Sequence, residues 1–166
     1  MSKFDDLNIA QLADRAKRHN YRVKCIAFLD QLMNGLAQFL GCHVNEVSPV
    51  PIKDDKYEQH KNYSISESLH MGEDGYYYIG IRIRLQRGGL INYIRLKNVD
   101  DKFILIFDPF KKEFKMSNTA DINDFYQFCF DKALEHYNNS FDRFLHGNDK
   151  TKIGFLTENI IDEEPL

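Results

Sequence analysis

Hydrophobic and polar positions along this 166-residue chain change their period twice. From Asn8, a helix-capping residue type, to about Leu40, apolar residues recur at helical spacing as Leu12, Ala16, Val23, Ala27, Met33, Leu36 and Leu40, and Gly41 supplies a stop. At roughly 1.5 Å per residue an unbroken helix would be about 50 Å long, more than a domain of this size can cover. The pattern therefore predicts a break near His19-Asn20-Tyr21, where the apolar repeat lapses. The alternative is that the basic first half (Arg15, Lys17, Arg18, Arg22, Lys24) projects toward a partner.

From Cys42 to Asn62, with Pro49 and Pro51, the chain reads as an irregular connection. The period then becomes two: Tyr63, Ile65, Leu69 and Met71 alternate with Ser64, Ser66, Ser68 and His70. Turn residues at Gly75, Gly88-Gly89, Asp100-Asp101 and Pro109 to Lys112 divide this central region, predicting strands near 63–71, 76–87, 90–98, 102–108 and 113–116. Opposed side chains in an antiparallel pair share a face, so the turns make a register testable. They place Ile83 opposite Ile94, Ile81 opposite Leu96, Leu96 opposite Leu105, Ile94 opposite Phe107, Phe107 opposite Phe114, Leu69 opposite Ile79 and Ile65 opposite Ile83. The result is one continuous apolar face.

The helical period returns from Asp121, a candidate cap, to Leu145, with Gly147 as the stop. Its stripe is Ile122, Phe125, Cys129, His136 or Tyr137, Phe141 and Phe144. Lys152 to Leu156 reads as a short further strand. The predicted fold is a single α+β domain: a long N-terminal helical segment (1–41), a five-stranded antiparallel meander (63–116), an aromatic C-terminal helix (121–146) packed on one sheet face, and an acidic tail (157–166).

Composition sharpens this picture only in places. Hydrophobic residues at 43% and charged ones at 28% are ordinary for a globular chain, and 13 Phe with 9 Tyr predict an aromatic core. Cys25, Cys42 and Cys129 are widely spaced and odd in number, as expected of reduced thiols, so the cytoplasm is the expected location. Met1 to Leu7 lacks the pattern of a secretory signal, and no long apolar run predicts a membrane span. A net charge of −3 gives no global pull toward nucleic acid or anionic lipid. Between Gly75 and Asn98, however, Arg82, Arg84, Arg87, Arg95 and Lys97 stand without an acid among them.

The predicted register gathers a basic, hydroxyl-rich outer face: Ser64, Ser66, Ser68 and His70, then Tyr78, Arg82 and Arg84, then Tyr93, Arg95 and Lys97, with Ile104 and Ile106 beside them. Arg82 falls opposite Arg95. Like charges so placed call for a nearby carboxylate, an exposed surface or an anionic partner, and Asp108 is the one acid the central strands offer. Glu67 stands out for the opposite reason, since strict alternation sets it on the apolar face, where a carboxylate would have a raised pKa and could act as an acid or base.

Cys42-His43 is read as a chance pair past a helix end rather than a nucleophile and base. The six histidines lack metal-ligand spacing, and no phosphate-cradling glycine loop occurs. No catalytic residue, metal or cofactor is therefore assigned. The expected function is a non-enzymatic interaction protein (adaptor, inhibitor or homodimeric module) that presents the basic, hydroxyl-rich face to an acidic partner, or uses the long first helix. Nucleic-acid binding by the same face is one alternative, and a small-molecule site or enzyme cavity containing Glu67 is another.

Overall fold

The computed structural model describes residues 2–52, 58, 61–146 and 155–158. Helix α1, Lys3–Leu40, is continuous for 38 residues. It begins earlier than Asn8 because Ser2 is the true cap: its hydroxyl accepts the Asp5 N–H while Asp5 reaches back to the Ser2 backbone. Gly41 closes it in the left-handed conformation (φ 68°). The break expected near His19-Asn20-Tyr21 does not occur.

A 3-10 turn at Val44–Glu46 leads into β1, Val47–Val50. After it come a one-turn helix α2, Ile65–Ser68, then β2, His70–Met71, β3, Tyr77–Arg84, β4, Gly89–Val99, and β5, Lys102–Phe107. Strand β6, Lys112–Met116, precedes α3, Thr119–Asn138, α4, Ser140–Leu145, and β7, Phe155–Glu158. Asn118, not Asp121, caps α3, and Asp121 completes its capping box. Gly147 and most of the acidic tail lie outside the described residues, as do Lys152 to Gly154 of the expected last strand.

The sheet is antiparallel throughout, in the order β1-β3-β4-β5-β6. Strand β3 is flanked on its outer side by β1 and β2 in succession, and β4 is flanked on its far side by β5 and β7. The expected meander is present from β2 to β6. Its first strand is corrected: of residues 63–71 only His70–Met71 pair, and the edge is completed by β1, from the stretch read as irregular. Pro49 does not forbid this, because β1 is an edge strand with β3 on one side only.

Register is partly corrected. Leu96 faces Leu105 and Ile94 faces Phe107, across a two-residue turn in which Asp100 and Asp101 both have positive φ. Between β3 and β4 the loop is Leu85 to Gly88, with only Gly88 at positive φ, so Ile83 faces Leu90 and Ile81 faces Asn92. Phe114 faces Leu105 rather than Phe107. These shifts are even, and even shifts keep each side chain on its face.

The inner face therefore carries the expected apolar set. Ile79, Ile81, Leu90, Ile94, Leu96, Leu105 and Phe107 are buried there, covered by Leu29, Leu32 and Leu36 of α1 and Phe125 and Cys129 of α3. Of the two candidates on α3, His136 is buried and Tyr137 exposed. The helices meet at Gly35, where a Cβ would overlap the Tyr126 hydroxyl, which itself donates to the Leu32 carbonyl at 3.0 Å.

Candidate interaction surface

Two surfaces hold the residues singled out above, and the first is the outer sheet face. Pairing arranges it in rows. His70, Tyr78, Arg95, Ile106 and Glu113 form one, Ser48, Arg82 and Ile91 another, and Lys97, Ile104 and Lys115 a third, while Arg84 faces Gly89 at the strand ends. Tyr93 faces Gly80, whose missing Cβ lets Val50 approach: an added Cβ would stand 2.6 Å from Val50 Cγ2. Val50, Tyr63 and Ile91 make a second small apolar cluster here, with Tyr93 packed against it.

Arg82 does not face Arg95. It is buried (0% exposed), with its Nε–H donated to Ser48 Oγ at 3.1 Å and Nη2 to the Lys61 carbonyl at 3.3 Å. Burial, with Arg84 nearby, lowers its pKa, and Tyr63 opposes the shift. This cation is a structural anchor for the 47–64 connection.

Arg95 does have the carboxylate its position calls for: Nη2 lies 2.8 Å from Asp108, and Nη1 lies 3.9 Å from Asp74. Its guanidinium stands over the rings of Tyr76 and Tyr78 at 5.8 and 5.9 Å, and Lys97 stands over Tyr76 at 5.1 Å. Asp74 accepts from the Tyr78 hydroxyl at 2.8 Å and the Tyr76 N–H at 3.1 Å, bonds that hold its pKa below the ordinary carboxylate value and raise that of Tyr78. Arg84 and His70 are exposed. The sites expected on one face thus share it, but its charge is compensated at Arg95 and covered at Arg82.

Glu67 is not on the apolar face. Ser64-Ile65-Ser66-Glu67 is a capping box that starts α2: Glu67 accepts from the Ser64 N–H and hydroxyl, both at 2.8 Å, and its own N–H goes to Ser64 Oγ at 3.2 Å. These bonds lower its pKa, the reverse of the expected shift, and the side chain is exposed. A cavity of about 250 Å3 does exist between α1, α3 and the β3–β4 end, lined by Leu36, Leu40, Ile83, Leu90, Cys129 and Ala133 among others, and Glu67 does not line it. Cys42 also lines that cavity, while His43 turns to cap the 3-10 turn, its Nδ1 accepting the Asn45 N–H at 3.3 Å. Among the described residues no cluster of three or more His, Cys, Asp or Glu could hold a metal ion.

The second surface is the first half of α1. Among the described residues, Tyr21 and Arg22 are its last ties to the body. The Tyr21 hydroxyl donates to the Gly75 carbonyl at 3.0 Å and accepts the Asn98 N–H at 3.3 Å, its ring stacks on Tyr77, and Arg22 Nη2 donates to the Ser66 carbonyl at 2.7 Å. Before them every residue from Ser2 to Asn20 is exposed. Phe4 (70%), Leu7 (69%) and Leu12 (64%) are the most exposed large apolar side chains of this arm, followed by Ile9.

The helical stripe read from sequence does not lie on one side of the helix. Met33 and Leu36 face the core with Cys25, Leu29 and Leu32, whereas Leu12, Ala16, Val23 and Ala27 lie on the opposite side of the helix, in solvent. Sequence reasoning missed the anchors Tyr21, Arg22 and Ser48. The lapse of the apolar repeat at 19–21 marked the exit point, but as the end of packing rather than the end of the helix.

No protein-family model, curated protein or solved structure matches this chain. Its surfaces must be read from their own chemistry. Among the described residues no helix is long and apolar enough to cross a membrane.

Proposed function

We propose that this chain is a non-enzymatic interaction protein whose contact element is the arm of α1 formed by residues 3–20. The observation that carries the reading is the arm's exposure together with its apolar content: every residue from Lys3 to Asn20 is exposed, and Phe4, Leu7, Ile9 and Leu12 are each more than half exposed. A lone helix of about this length is marginal in water, and helical stability in proteins comes mostly from packing an apolar face. Ile9 and Leu12, on the side of the helix that faces away from the sheet, gain that packing only from a partner.

The open part of the outer sheet face, Tyr76, Tyr78 and Lys97 beside Ile104 and Ile106, offers a second contact for an acidic partner. Its support is smaller, because Arg82 is engaged inside the fold and Arg95 pairs with Asp108. Nucleic-acid binding depends on the same cations and is the lesser reading for the same reason. Three free thiols, two of them buried, suit a cytoplasmic location.

Capture from a lysate of the source cell tests the arm. Replacing both Ile9 and Leu12 with Glu is expected to abolish the set of proteins retained by the wild-type chain, its own copies included, while the thermal transition of the body stays in place. Identical capture by the variant would overturn the reading.

A further inference from the structure

Resting on the arm as the contact element, we infer that its partner is a second copy of this chain, bound antiparallel through the side of α1 that faces away from the sheet. Ile9, Leu12, Ala16 and Val23 recur there at spacings of three, four and seven, with Ala13 beside them, the repeat of a two-helix seam. An antiparallel pair centred between Leu12 and Ala13 sets Leu12 of each copy against Ala13 of the other, and Ile9 against Ala16. At both of these pairs a large side chain meets a small one, which allows close approach of the helices.

Charge selects the direction. The arm carries Lys3, Asp5 and Asp6 in its first turns and Asp14, Arg15, Lys17 and Arg18 toward its end, where Arg18 pairs with Asp14 at 2.8 Å; beyond it Arg22 is held by Ser66 and Lys24 by Asp101. Parallel pairing would set each cation beside its own copy. Antiparallel pairing brings the acidic start of one arm along the basic end of the other. A two-fold axis perpendicular to the helices also brings each flank of the seam against itself. By helical geometry Asp6 and Lys17 share a flank, so Asp6 of each copy lies within reach of Lys17 of the other. The acidic first turn and the basic later turns thus make the arm complementary to itself.

The bodies fit this arrangement. Each leaves its arm at Tyr21, and reversing the direction of one arm puts the two bodies at opposite ends of the paired segment, separated by about 25 Å along it at roughly 1.5 Å per residue. Nothing of either body is required in the seam. A standard interface engages roughly 20–30 residues a side, more than about five turns of one helix present, so the dimer is reversible and dependent on concentration.

Phe4 and Leu7 provide an internal control. They are as exposed as Leu12 but lie on the side of the helix in line with Cys25, Leu29 and Leu36, outside the seam.

Sedimentation equilibrium of the full chain at physiological salt, from low to several hundred micromolar, tests the inference. The wild type is expected to pass from monomer to dimer across that range. Ile9→Glu with Leu12→Glu should remain monomeric, a weakening of at least ~100-fold, because four carboxylates enter an apolar seam. Leu7→Glu should dimerise as the wild type does. Asp6→Lys and Lys17→Asp should each weaken the dimer several-fold, and the double swap should restore it. A wild type that is monomeric throughout, a dimer that survives the seam substitutions, or equal loss with Leu7→Glu would overturn the inference. A monomeric wild type whose lysate capture is still lost with the seam variant would leave the arm as the contact element and assign it to a different protein.

Discussion

Arg82 on β3 and Ser48 on β1 face one another across the sheet edge, and the Arg82 Nε–H donates to the Ser48 hydroxyl at 3.1 Å. The pair joins Arg82, the most deeply buried cation among the described residues, to a strand of four residues. The bond adds a side-chain tie to the backbone ladder between β1 and β3, beside the buried Val47 and Val50. The guanidinium also reaches the Lys61 carbonyl, so one residue ties Ser48 and Lys61 together.

Removing that side chain should therefore be read as loss of stability and not as loss of a binding cation. Arg82→Ala leaves Ser48 and the Lys61 carbonyl without this donor and opens a void, at a cost of about 2–4 kcal/mol. Arg84→Ala, on the same face but exposed, should change stability by less than about 0.5 kcal/mol. Urea unfolding of the two variants checks the contrast, and equal effects would contradict the assignment of Arg82 as an anchor.

Gly35 gives a prediction whose sign opposes helix propensity. In an exposed helix interior Gly→Ala is stabilising by about 1 kcal/mol. At position 35 the new Cβ overlaps the Tyr126 hydroxyl where α1 crosses α3, so Gly35→Ala is expected to destabilise by about 1–3 kcal/mol. Tyr126→Phe removes the colliding oxygen, and Gly35→Ala in that background should cost distinctly less. Thermal melts of the four chains form the double-mutant cycle that measures the coupling.

The particular residues show how far the fold could be read before the structure. Asp100 and Asp101 occupy a two-residue turn, and the pairings they predicted, Leu96 with Leu105 and Ile94 with Phe107, are those observed. Gly88-Gly89 misled by suggesting a loop two residues shorter than the real one, yet the inner and outer faces survived because the slip was even. Ser64 to Glu67 carried two messages, an alternation of period two and the Ser-x-x-Glu of a capping box, and the capping hydrogen bonds won. Strand β1 was illegible because Ser48 and Pro49 lack strand propensity, and its pairing depends on β3, far away in sequence. The arm was legible as an option only: length and basic charge suggested projection, but nothing local could show that the helix outlasts its packing.

Acid should loosen the fold through hydrogen-bonded carboxylates. Asp5, Glu67, Asp74 and Asp101 all have pKa values below the ordinary ones, the first three chiefly through hydrogen bonds from nearby serine and tyrosine hydroxyls and backbone N–H groups, and Asp101 through Lys24 at 2.8 Å. A group whose folded pKa is depressed contributes stability that is complete above its unfolded pKa and is lost as pH falls through the folded value. The melting temperature should accordingly be flat from neutral pH down to about 5 and fall below about 4.5. Glu67→Gln and Asp101→Asn should each flatten that decline, as melts taken at successive pH values would show. A decline starting near pH 6.5 would instead point to histidines.

Tyr21 bonds the body on two sides at the exit point, donating to Gly75 and accepting from Asn98, and its ring stacks on Tyr77 at 5.5 Å. Tyr21→Phe keeps the stack but leaves the Gly75 carbonyl and the Asn98 N–H without this hydroxyl, costing about 1–2 kcal/mol. Because the loss falls where the helix leaves its support, it should also let the helix fray inward from the arm. Amide exchange should then accelerate from Tyr21 through Lys24 while Leu29 to Leu36, buried under α3 and the sheet, keep their protection. Trypsin provides the complementary measurement. Arg15, Lys17 and Arg18 are exposed in both chains, whereas Arg22 is held by Ser66, so cleavage after Arg22 should appear in Tyr21→Phe at protease levels that leave that bond intact in the wild type. If exchange and cleavage at Arg22 were unchanged, the root would be held by Arg22 and Lys24 instead, and the arm's rigidity would have to be assigned to those two cations.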